Sequence, residues 1–134
     1  MLAAMLFAIS IVALTQFAAY YWRAMLAGAA AQPVSERVLL AAGSQNGQLT
    51  GEDFPALLGI HELTPELGPG GNGLSLVRIY YRLVDAVASL AGSSMPAVGA
   101  WTQRELAVCA RYAAVQIDRR LQANLELAES LRSC

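Results

Sequence analysis

His61 is the only histidine in the chain, and it stands beside Glu62 after the apolar stretch Leu57-Leu58-Gly59-Ile60. An imidazole can serve as a general acid–base or a metal ligand, but both roles need convergent partners. There is no second histidine and no paired-cysteine motif to supply them. A hydrogen-bonded structural histidine is the expectation. Gly68, Gly70 and Gly73 spell a dinucleotide fingerprint. That fingerprint needs a strand before it and a ribose-binding acid about 20 residues further on. Here Thr64-Pro65 and a short helical stretch precede the glycines, and Asp85 comes too soon, so a plain interhelical loop is expected. Cys109 is flanked by Ala107, Val108 and Ala110, the setting of a small buried hydrophobe. Arg104 and Arg111 do not share its helix face, so nothing lowers its pKa toward a reactive thiolate. Cys134 is expected to be exposed, where it could oxidise or link two chains. Tyr80-Tyr81 with Arg78 and Arg82, and Arg111-Tyr112, could stack or hold an anionic headgroup. The plainer reading packs the tyrosines inside and pairs the arginines with Asp85 or Asp118. No catalytic residue, metal ligand or cofactor emerges from these groups, and the chain is not expected to be an enzyme. The alternative is a small membrane-tethered enzyme or ligand sensor with a pocket between helices near His61 and Tyr80.

The strongest feature lies elsewhere. From Met1 to Trp22 no side chain is charged, and Arg23 comes directly after. As a helix this run measures roughly 33 Å, against a hydrocarbon core of about 30 Å. Tyr20, Tyr21, Trp22 and Arg23 make an aromatic belt with a cation, the composition of a lipid–water boundary. The run is therefore expected to be a transmembrane anchor. The rival is a cleaved signal peptide, with Ala29-Ala30-Ala31 as the small-residue site. Against it stand the length of the run, the lack of a basic residue before it, and the bulky belt between run and site. Arg23 and Arg37 place the positive charge after the span, which favours a cytoplasmic location for the C-terminal domain. Ala4, Ala8, Val12, Thr15 and Ala19 share one face of the span, a small-residue strip suited to close helix contact.

Beyond Arg23, eight arginines face ten acids, and the formal net charge of the chain is −1. No basic stripe exists, so nucleic acid is not an expected partner. All nine basic residues are arginine, and alanine is abundant. That combination reads as a GC-rich coding bias, common in bacteria.

Helical patterning fills the remainder, and no segment shows sustained strand alternation. A short helix fits Ser35 to Ala42, with Gly43 ending it. Ser44-Gln45-Asn46-Gly47-Gln48 is a turn cluster. Thr50 or Asp53 can cap a helix carrying Phe54, Leu57, Leu58, His61 and Leu63, which Thr64-Pro65 breaks, with one further turn through Leu67. Leu74 to Ala91 carries a polar stripe of Ser75, Arg78, Arg82, Asp85 and Ser89. So narrow a wet face predicts burial over most of the girth, with Leu83 inside. A last helix is predicted from Pro96 to about Leu131. Its first half offers Trp101, Val108, Cys109, Tyr112 and Val115 to the core. Its second half keeps Leu121, Leu125 and Leu131 at helical spacing but rings them with charge.

The fold class expected is all-α. A transmembrane helix with its extension covers residues 1–31, and a small bundle of three to four helices with a long C-terminal helix covers 32–134. The function expected is action by protein–protein interaction, as an accessory subunit, scaffold or envelope-assembly component. The partners expected are the lipid bilayer and a protein or second copy. The contact surface expected is Arg119, Arg120, Leu121, Leu125 and Leu131, because arginine is common at such rims and the helix outruns the bundle.

Overall fold

A computed structural model describes residues 1–44, 46–65, 73–91 and 93–134. The chain is all-helical, and among the described residues there is no strand. The Gly68–Gly70 part of the glycine loop and the expected turn through Leu67 lie outside the described residues.

Helix α1 runs Leu2–Ala30. Its alanines and leucines favour helix, and the hydroxyls of Ser10 and Thr15 are satisfied within it. Ser10 donates to Leu6 O at 2.9 Å and Thr15 to Ile11 O at 2.7 Å. It stops where Pro33 denies Gln32 a helical backbone. Helix α2, Glu36–Ala41, starts after Ser35, whose backbone is extended but whose side chain makes no capping bond. Gly43 ends it at φ +82°, with Ser44 N–H returning to Leu39 O at 3.1 Å. Both Thr50 and Asp53 act at the next helical start. Thr50 N–H donates to Asp53 Oδ2 at 2.8 Å across a 3-10 turn, Gly51–Asp53, and Asp53 precedes helix α3, Phe54–Leu63. Helix α4 spans Gly73–Ala91 and helix α5 spans Pro96–Arg132.

Helix α5 is the axis on which α1, α2, the 3-10 turn, α3 and α4 all pack. Side-chain pairings fix the directions. Tyr80 meets Glu105, and a Cβ on Gly73 would lie 2.8 Å from Tyr112 Oη, so α4 is antiparallel to α5. Arg23 meets Glu105 and Gln32 meets Arg119, so the end of α1 runs parallel to α5. The core gathers Leu26, Val38, Phe54, Leu57, Val77, Cys109, Ala113 and Ile117. The last turns of α1 thus join the core, whereas Leu2 to Tyr21 are exposed throughout.

The packing of α4 corrects the expectation of a helix buried around most of its girth. Leu74, Val77 and Val84 are buried, but Leu83 is 61% exposed, together with Leu76, Ile79, Val87 and Leu90. The polar stripe does face outward. What is missing is cover on the flanks. The backbone of α4 approaches closely only that of α5, and α1 and α3 reach it just through Trp22 at Tyr80, Phe54 at Tyr81 and Glu62 at Arg78, so much of its girth stays uncovered. Trp101 is likewise exposed and not in the core, because it lies on α5 before the point at which α1 and the 3-10 turn close over that helix.

Candidate functional site

Glu105 is the node at which three helices meet. It is 6% exposed, yet it has satisfied oxygens. Arg23 Nη2 donates to Oε1 at 2.5 Å, and Tyr80 Oη donates to Oε2 at 2.8 Å. A buried carboxylate is tolerated only when charge and hydrogen bonds replace its lost water. The Arg23 guanidinium also sits over Trp101, 6.0 Å from the ring centroid. Trp22 meets Tyr80 edge-on, with centroids 6.3 Å apart. Burial first, and then the Glu105 hydrogen bond, pushes the Tyr80 hydroxyl well above the ordinary phenol range and keeps it a donor. Among the described residues, the Trp22 indole N–H is the one buried side-chain polar atom without a partner.

This cluster forms a collar around the point where α1 enters the fold. A cleft of about 430 Å³ beside it is lined by Tyr20, Arg23, Ala24, Ala27, Glu105 and Val108. Reasoning from the sequence misses Glu105, although a signal for it exists. It lies four residues from Trp101 and four from Cys109, on the apolar side of its helix. An acid on an apolar face asks for a cation within reach, and the exposed Arg23 that closes the uncharged run supplies it.

The belt residues divide between the two environments. Tyr20 and Tyr21 are exposed, Trp22 is half-buried and Arg23 is tied to Glu105. His61 is half-buried on α3, and Tyr80 turns its hydroxyl to Glu105. No group of three or more histidine, cysteine or acidic side chains suited to a metal exists among the described residues. Cys109 is fully buried, and that burial, with Glu105 nearby, pushes its thiol up to about 12. Cys134 is exposed. Arg78 pairs with Glu62 at 2.7 Å, not with Asp85. Tyr81 stacks on Phe54 at 4.2 Å and donates to Gly51 O at 2.9 Å, so it is a packing residue.

At the opposite end of α5, Asp118 is the last buried residue. Leu121, Leu125, Leu127 and Leu131 are exposed beyond it, the last by 71%. Arg119 donates to Gln32 Oε1 at 2.7 Å and Arg120 is half-buried. A shallow cleft of about 540 Å³ between the start of α2 and α5 is lined by Ser35, Glu36, Arg37, Asp118, Leu121, Gln122 and Leu125.

Comparison with known proteins returns no match: no family model, no curated protein and no solved structure.

Proposed function

We propose that the chain is a single-pass membrane protein whose helical domain acts by binding another protein through the free end of α5. The observation that carries the anchor is the contrast within α1. Leu2 to Tyr21 are apolar or uncharged and wholly exposed, while Leu26 and Ala30 are buried in the fold. Exposed apolar surface on this scale is unstable in water and needs another environment. The observation behind the docking edge is that α5 continues past its last buried residue, Asp118, to Arg132 with leucines on its surface. Such an edge is a protein contact in the making, either with a partner or with a second copy, and Arg119 and Arg120 form its rim. The soluble part lies on the cytoplasmic side, on the weight of Arg23 and Arg37.

The test has two arms. The protein should sediment with membranes, resist carbonate extraction and retain its N-terminal peptides. Ile9→Arg should impair insertion, at a cost of about 2.5–3.5 kcal/mol near the helix centre. A mature form starting at Gln32 would overturn the anchor. Deletion of residues 122–134 should leave the helical fold intact and abolish assembly. If the fold is lost instead, the segment belongs to the core and the docking edge is refuted.

A further inference from the structure

The directions of the helices put one more element on the side of the span. Helix α1 is parallel to α5, and Arg23 lies at Glu105 and Trp101. The part of α5 before Trp101 therefore lies toward the apolar run of α1. Helix α4 is antiparallel, so its end and the turn into α5 lie there too. The 3-10 turn abuts α5 at Leu106, and from it α3 runs the other way, since Pro65 O meets Asn124. The α4–α5 hairpin tip is thus what the fold projects toward the span.

Its sequence is suited to that place. From Ala86 to Gln103 no residue is charged. The last charges before the span are Arg23 on α1, Arg104 on α5 beside Glu105, and Asp85 on α4, which lies five residues past Tyr80 and so roughly 7.5 Å nearer the span than the Glu105 collar. Past Asp85, Val87, Leu90 and Met95 are exposed, Leu90 by 83%, and Trp101 is exposed at about its level. Ser94 N–H and Met95 N–H both return to Ala91 O. Pro96 opens α5 where a missing N–H costs nothing.

We propose that this hairpin tip is a second membrane contact, which inserts into the interfacial zone of the bilayer beside α1. The proposal rests on α1 being a span. From Asp85 to Ala91 helix α4 measures roughly 9 Å, which sets the greatest depth below the last charge of the hairpin. Interfacial helices bury their apolar face about 5–10 Å deep, so the tip reaches the upper acyl chains and does not cross. Ser93 and Ser94 are then the deepest residues, and the interfacial depth keeps glycerol and bound water within reach of the backbone groups at the ends of α4 and α5. The collar becomes the boundary layer. Arg23 is fixed by Glu105 at the headgroups, and Trp101 lies beneath it.

The experiment uses the full chain in vesicles of phosphatidylcholine and phosphatidylglycerol. Leu90→Trp is made in a Trp22→Phe/Trp101→Phe background, with Leu63→Trp, exposed at the far end of α3, in the same background as the distal control. Flotation reports the anchor and tryptophan quenching reports the tip. The expected result is that both variants float, that Leu90→Trp loses most of its emission to lipids brominated high on the chain, and that Leu63→Trp loses its emission only to aqueous iodide. The native Trp101, read in Trp22→Phe alone, should behave as Leu90→Trp does, which guards against a misfolded variant. Flotation with Leu90→Trp quenched by iodide and not by bromine overturns the hairpin contact and leaves the anchor standing. Shielding from both quenchers means that protein covers the tip and overturns it equally. Failure to float overturns both readings.

Discussion

Replacing Gly51 by alanine probes how closely the 3-10 turn is seated on α5. An added Cβ would lie 2.5 Å from Leu106 Cβ and 3.5 Å from the Leu106 backbone carbon. Carbon atoms rest about 3.5–4.0 Å apart, so the two backbones must separate by about 1 Å. Leu106 cannot turn away, since the nearest atom is fixed to its backbone. Overpacking of this kind costs about 1–3 kcal/mol. Displacing the turn also loosens the Tyr81 bond to Gly51 O, at 2.9 Å, which contributes about 0.5–1.5 kcal/mol. The total of roughly 1.5–4.5 kcal/mol is a large share of a small domain's stability of about 5–15 kcal/mol. Gly59 in α3 supplies the contrast. A Cβ there meets nothing within 4 Å, so Gly59→Ala should gain about 0.5–1 kcal/mol from helix propensity. Thermal and urea melts of the full chain in mild detergent, monitored by circular dichroism, read the difference. Gly51→Ala should lower the midpoint and Gly59→Ala should raise it. Leu106→Ala should not rescue Gly51→Ala, because it leaves the obstructing Cβ in place. A Gly51→Ala protein as stable as the parent would refute the close seating of the turn on α5.

The packing fixes three further outcomes. Leu83→Ala should change stability by less than about 0.5 kcal/mol, while Val84→Ala, one residue on and buried, should cost roughly 1.5–3 kcal/mol; equal losses in chemical melts would mean that the face of α4 is misassigned. Cys134 should react with a thiol reagent at neutral pH and Cys109 should not; labelling of Cys109 in the folded protein, read by peptide mass, would contradict its burial. Because the folded Cys109 thiol titrates above the unfolded value of 9.0, its contribution is full below that pH and is lost as pH rises toward 12, so alkaline melts should fall less steeply for Cys109→Ala.

Much of this architecture is written locally. The uncharged run up to Trp22, Gly43, the Thr50–Asp53 start, Pro96 and the long apolar spacing after it mark the helices and their ends, because caps, breakers and propensity act over a few residues; Ser35 precedes α2 without a side-chain capping bond. The burial of Cys109, Tyr112 and Val115 is legible for the same reason: a periodic apolar stripe names its own inner face. Which neighbour covers which stripe is not local. Leu83 and Val84 are both apolar neighbours on α4, and only the placement of α5 decides that Val84 is inside and Leu83 outside. Glu105 is an ordinary acid by sequence. It becomes the node of the fold when α1 and α4 bring Arg23 and Tyr80 to it across long stretches of chain, a pairing that depends on how the helices pack and so has no signature in any single segment.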